Sequence, residues 1–189
     1  MDTLALRVPH KAPEARDEES PTGFVQIEQG AARGVLLTPD EIDPARSYPL
    51  ITVLHGAGRQ DEMLVKACRG EPERRQALFF VPRSVAPTWD LITGNGRADL
   101  DFLHYAYDLI YRRYPVAANA QCLIGYSDGA SYALSLGLSN PGFFSALSQL
   151  DDHIDIGITE IYGNQSDFHR VFLFLTSDFS AARGFQTIQ

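Results

Sequence analysis

The chain has 189 residues, 44% of them hydrophobic, and a formal net charge of −8. That size suits one domain with a sizeable core. The acidic balance, with Lys11 and Lys66 the only lysines and the arginines scattered, excludes the clustered basic surface of a nucleic-acid binder. No apolar run is long enough for a membrane helix, and none near Met1 reads as a secretory signal, so no membrane span and a cytoplasmic setting are expected. Cys68 and Cys122 make no disulfide framework, and Cys122 reads as a small buried hydrophobe. The histidines are isolated and no glycine-rich phosphate loop occurs, so neither metal nor cofactor is expected.

Residues 1–22 are charged and proline-containing and are expected to form a mobile leader, with 23–189 as one domain. Phe24 to Glu28 and Ala32 to Leu37 alternate apolar and polar residues around Gly30, the pattern of a hairpin. After a loop from Thr38 to Tyr48, Leu50 to Leu54 (LITVL) is a continuous run suited to a strand buried on both faces. His55-Gly56-Ala57-Gly58 is then a loop, Asp61 to Cys68 a helix, and Leu78 to Val81 a strand ended by Pro82. Pro87 to Gly96 reads as a loop holding Trp89, the single tryptophan. Ala98 to Tyr114 is the clearest helix: Leu100, Leu103, Tyr107, Ile110 and Tyr114 share one face, and Pro115 ends it. His104 on this helix reads as a surface or boundary residue. Gln121 to Ile124 is a strand, and a helix runs from Ala130 to about Ser139, stopped by Asn140-Pro141-Gly142. Phe143 to Leu150 and Val171 to Thr176 read as further strands. Strands alternating with helices from Leu50 onward predict a three-layer α/β fold with a mostly parallel sheet and helices on both faces.

The chemistry concentrates at Gly125-Tyr126-Ser127-Asp128-Gly129, between a predicted strand and a predicted helix. A G-x-S-x-G turn in that setting is a nucleophile elbow, with glycines permitting close approach and the serine held at the tip. A serine hydroxyl needs a base to remove its proton and donors to hold the oxyanion that forms after attack. One expected donor is the backbone N–H of Asp128; the other comes from the loop after the third strand, here HGAG, where Ala57 is the candidate. The His55 imidazole is read as orienting that loop rather than acting as the base.

These residues carry a resemblance. LITVLHGAG, Pro87-Thr88-Trp89-Asp90, the helix with Asp99 and Asp101, and LIGYSDGASYALSLGLSNPGFFSAL are similar to the serine esterase branch of the α/β-hydrolases. Phospholipase/carboxylesterase and polyhydroxybutyrate-depolymerase-like enzymes share this layout, and the resemblance spans roughly Val25 to Leu147. It implies hydrolysis of a small carboxylic ester through an acyl-serine on Ser127, with a substrate pocket around His55, Gly56, Trp89 and Tyr126. A core position is the alternative for Trp89.

The resemblance also implies an acid and then a histidine after the nucleophile. Asp178, following VFLFLT, maps onto the acid, with a solvated loop aspartate as the alternative. No histidine follows it, so the fold is expected to be shortened at its C-terminal side. His153 is the candidate base because it follows the strand expected beside the elbow strand; His169 precedes VFLFLT, at the wrong end of a parallel strand. Besides an active esterase, a catalytically impaired hydrolase-like binding domain fits the missing histidine. A peptidase or acyltransferase on the same scaffold is a third reading.

Overall fold

The computed structural model describes residues 5–6, 20–94, 96–140, 142–150 and 171–175. Within them a seven-stranded sheet is built from β1 (Phe24–Gln29), β2 (Ala32–Leu37), β3 (Tyr48–Leu54), β4 (Leu78–Arg83), β5 (Val116–Tyr126), β6 (Ala146–Leu150) and β7 (Val171–Leu175). Its spatial order is β1-β2-β4-β3-β5-β6-β7. The β1–β2 hairpin and the β2–β4 pair are antiparallel; every pair from β4 to β7 is parallel. The helices are α1 (Asp61–Ala67), α2 (Glu71–Arg75), α3 (Asp90–Thr93), α4 (Ala98–Arg113) and α5 (Asp128–Ser139).

The period of two along β3 divides the core. Leu50 and Leu54 join the cluster formed with Leu100, Leu103 and Tyr107 of α4 and Tyr132 and Leu136 of α5. Ile51 and Val53 face the other way, into the cluster with Leu64 of α1, Cys68 and Cys122. Side chains of a central strand alternate between faces, so an all-apolar strand requires cover on both. Thr52 is the one hydroxyl in LITVL, and it is satisfied inside the α4 layer by the Tyr107 hydroxyl at 2.8 Å. All five apolar positions expected on one face of α4 through Tyr114 are at most 1% exposed. Cys68 and Cys122 are free thiols whose burial pushes their pKa up to about 12 in each case.

The structure departs from the sequence reading in several places. Strand β4 continues through Pro82 to Arg83, because β3 pairs with it only as far as Phe80. Beyond that point β2 alone remains, with Gly34 opposite Pro82, and a missing donor is tolerated at such an edge. Strand β5 starts at Val116, five residues early, and a register shift against β3 sets the intervening residues off the ladder. Conversely β6 starts only at Ala146: Phe143 and Phe144 precede it and pack edge-on around Tyr107. The short helices α2 and α3 lay in segments with no helical periodicity to read.

Part of the expected leader is docked. Leu6 packs against the core and its N–H donates to Asn140 Oδ1 at 2.6 Å. The Tyr114 hydroxyl donates to the Pro21 carbonyl at 2.5 Å, and Ser20 bonds the Arg113 carbonyl. At these residues the segment expected as a leader is tied to the domain: the buried Tyr114 hydroxyl supplies the donor and the carbonyl at the end of α4 the acceptor.

Candidate active site

Ser127 sits between the last residue of β5 and the first of α5, at φ 51° and ψ −119°. A β-carbon in that region is strained by about 1–3 kcal/mol and persists only where the surroundings over-determine it. Two glycines supply the constraint. A β-carbon on Gly125 would stand 2.2 Å from the Gly129 carbonyl oxygen, and one on Gly129 would stand 2.3 Å from the Leu54 oxygen. Both contacts are with backbone, which cannot swing aside, so the first turn of α5 lies directly against β5 and the end of β3. The result leaves Ser127 exposed while Gly125 and Gly129 are buried. The amides of Asp128 and Gly129 open α5 ahead of its hydrogen-bond ladder, which begins where the Ala130 N–H donates to the Ser127 carbonyl at 2.9 Å.

The loop after β3 closes over this turn. A β-carbon on Gly56 would lie 3.1 Å from Ser127 Cβ and 3.0 Å from Tyr126 Cδ1, so the backbone passes as close as a glycine allows. Ala57 next to it is exposed. The Gly58 N–H is already taken by the Pro87 carbonyl at 2.8 Å, which removes Gly58 as a donor to a ligand. Arg59 Nε bonds the Ala86 carbonyl at 3.0 Å, and its terminal nitrogen bonds the Val85 carbonyl.

His55 and Trp89 stand behind this surface. The His55 ring is fully buried; its Nε2 accepts from the Ser84 N–H at 2.9 Å and its Nδ1 lies 2.6 Å from the Gly56 carbonyl oxygen. Burial holds its pKa below the usual 6.5, with Arg83 and Arg59 adding to the fall and Asp61 and the Gly56 carbonyl opposing it. Both ring nitrogens are engaged, so His55 has no lone pair to offer Ser127. Trp89 is 1% exposed, donates Nε1–H to the His55 carbonyl at 2.8 Å, and stacks between His55 and Tyr132. His55 and Trp89, both expected at the pocket, have their surfaces taken up by packing, as the core alternative for Trp89 requires. Tyr126, half-buried, and Gly56 border the serine directly.

Sequence reasoning missed the brace beneath these loops. Thr88 Oγ1 donates to Asp128 Oδ2 at 2.7 Å, joining the residue after Ser127 to the Pro87 loop. Asp99 accepts from the Val85 and Asp90 amides, both at 2.7 Å, and its own N–H donates to Asp90 Oδ2 at 2.9 Å. Burial raises the Asp99 carboxyl above its usual 3.8, the two amide bonds pulling it back down and the Asp90 charge raising it further. Burial also raises the Tyr132 hydroxyl, which lies beside both carboxylates. The signal available was two aspartates flanking Gly94-Asn95-Gly96, each in the first turn of a helix.

His153 and Asp178 lie outside the described residues. The strands that precede them in the chain are described: β6 pairs Leu150 with Tyr126, and β7 pairs Leu175 with Leu150. Among the described residues no group of three or more His, Cys, Asp or Glu is placed to hold a metal ion. No helix among them is long and apolar enough to cross a membrane.

No family model and no curated protein matches the sequence. Solved structures do resemble the fold. A thermostable esterase superposes with a TM-score of 0.54 at 18% identity, over 66% of this chain and 39% of that one. Acetyl xylan esterase from Aspergillus awamori gives 0.54 at 15% identity, over 67% and 51%. S-formylglutathione hydrolase from Staphylococcus aureus gives 0.50 at 12%, over 72% and 62%. The chain thus spans between 39% and 62% of the length of these enzymes. At such identities the likeness is one of architecture, and the architecture of this chain is that of the α/β-hydrolases.

Proposed function

We propose that the chain is a serine hydrolase that cleaves small carboxylic esters through an acyl-serine intermediate on Ser127. The observation that carries this reading is the strained, exposed Ser127 held at φ 51° by two backbone-crowded glycines, with the HGAG loop against its β-carbon. A buried, non-reactive serine gains nothing from such strain; a nucleophile gains access and alignment.

The reaction runs in two halves. Ser127 Oγ attacks the ester carbonyl carbon while its proton passes to a base. The carbonyl oxygen becomes an oxyanion facing the Ala57 and Asp128 amides, with the α5 N-terminus adding favourable potential. Collapse of this intermediate expels the alcohol and leaves the acyl group on Ser127; water then attacks, releasing the acid and restoring the hydroxyl. The pocket is bordered by Gly56 and Tyr126. For the base we take His153, three positions after the end of the strand that adjoins the elbow strand. For the acid we take Asp178, three positions beyond the end of β7. Free, buried thiols suit a reducing compartment, and we read the protein as cytoplasmic.

A second reading, a hydrolase-like domain that binds esters without turnover, is favoured by one observation. Of the two described histidines, His55 has both nitrogens engaged and His104 lies on α4. A fluorophosphonate probe separates the two. Labelling of the full chain at neutral pH that vanishes in Ser127→Ala, with p-nitrophenyl butyrate turned over faster than a peptide amide, supports the esterase. Saturable ester binding with no labelling and no turnover supports the binding domain and ends the esterase reading.

A further inference from the structure

We propose that His55 is a positioning residue whose imidazole aims the Ala57 amide at the oxyanion on Ser127. The inference rests on the reading of Ser127 as an ester nucleophile and deepens it. A backbone N–H can only donate, so the Ser84 amide, 2.9 Å from Nε2, requires that nitrogen to be the acceptor. The neutral ring then carries its proton on Nδ1, which donates to the Gly56 carbonyl at 2.6 Å. That carbonyl and the Ala57 N–H belong to one peptide group. The group is planar and trans, so its C=O and N–H point in opposite directions. The His55 ring is buried at 0% exposure, and a carbonyl drawn toward it turns the Ala57 N–H outward. Outward is where Ala57 is exposed and where the loop meets Ser127.

The need for such a device follows from Gly56 itself. A β-carbon there would crowd Tyr126 at 3.0 Å and Ser127 Cβ at 3.1 Å, which favours glycine at this position. Glycine, however, lets the following peptide rotate between orientations at little cost. The flanking groups are pinned from outside: the His55 carbonyl by Trp89 Nε1 at 2.8 Å, the Gly58 N–H by Pro87 at 2.8 Å. The imidazole, 2.6 Å from the Gly56 carbonyl oxygen, holds the peptide between them. Ser84 thereby selects the tautomer, the tautomer selects the peptide orientation, and the orientation supplies a donor.

The test separates a donor at Nδ1 from mere filling of space. In His55→Asn the amide NH₂ can still donate to the Gly56 carbonyl; in His55→Gln the side chain reaches the Ser84 position instead; His55→Leu offers neither bond. We expect kcat toward p-nitrophenyl butyrate to fall about 100-fold in the Leu and Gln variants, the loss seen on removing one oxyanion donor, with KM nearly constant. The Asn variant should recover most of that loss. A trifluoromethyl ketone, which forms an oxyanion on the serine, should lose affinity in parallel, while its methyl ketone analogue should not. Equal kcat in all three variants, or equal loss in Asn and Leu, overturns the proposal. Should the Leu variant fail to fold, the Asn–Gln contrast and ¹⁵N NMR of the wild-type ring decide: a proton found on Nε2 overturns it. Absence of Ser127-dependent labelling in the wild type defeats the hydrolase reading itself, an outcome distinct from a labelled wild type that is indifferent to His55.

Discussion

The two segments that meet at Ser127 hold their shape by different means. The elbow is shaped by backbone crowding: Gly125 and Gly129 press on each other and on the end of β3, with the Thr88–Asp128 bond bracing the turn from beside it. The loop after β3 has no such internal constraint. Its geometry is imposed by hydrogen bonds, from its own His55 ring and from the Trp89 indole, the Pro87 carbonyl and the Arg59 guanidinium anchored on Ala86. A five-residue pattern therefore suffices to specify one half of the site, whereas the other half depends on residues up to 34 positions away.

The largest effect should come from removing the support of the loop. Trp89→Ala leaves a cavity between His55 and Tyr132 and orphans the His55 carbonyl, which should lower stability by about 3–5 kcal/mol in urea unfolding. A loss below about 1 kcal/mol would mean that the indole is not structural. Gly125→Ala attacks the elbow instead. With backbone 2.2 Å from the new carbon, relief requires separation of α5 from β5, and we expect destabilisation of about 3 kcal/mol or more, visible as loss of soluble protein.

Opposite signs sharpen the contrast further. Ser127→Gly should stabilise the chain by about 1 kcal/mol, because glycine accepts φ 51° without strain, while abolishing fluorophosphonate labelling. A lower melting temperature for this variant would show that the serine makes compensating contacts. The smallest effect concerns pH. The folded pKa of His55 lies below 6.5, so its neutral form is the one the fold selects. Its contribution is whole above 6.5 and is lost as pH falls through the lower folded value, since the unfolded chain takes up the proton first. The groups that face it, Asp61, Arg83 and Arg59, move that window but keep its sign. Melting curves should show wild type losing ground to His55→Asn as pH drops below 6.5 and holding a constant offset above it. A gap that ignores pH would remove the neutral imidazole from the account of the loop.

Much of this could be seen in the linear chain because it is local. LITVL, the spacing along α4 and the glycine pair of the elbow each express a period or a steric demand within a few residues. Pro82 misled because a proline is read as a strand terminator, and only the edge-like position of β4 beyond Phe80 makes it harmless. Trp89 admitted both pocket and core, and no local signal distinguishes an indole facing a ligand from one bonded to His55. The Thr88–Asp128 link was invisible for the same reason: it joins two segments 40 positions apart that only the assembled fold brings together.

From sequence alone, then, came the layered α/β architecture and the serine at a cramped bend, because hydrophobic period and glycine sterics act over short distances and leave their mark in neighbouring letters. The tertiary structure alone decided which groups the His55 ring bonds and that Trp89 is packed in the core. Those outcomes depend on hydrogen bonds between segments remote in the chain, and a donor and its acceptor carry no sequence pattern that pairs them before the sheet has formed.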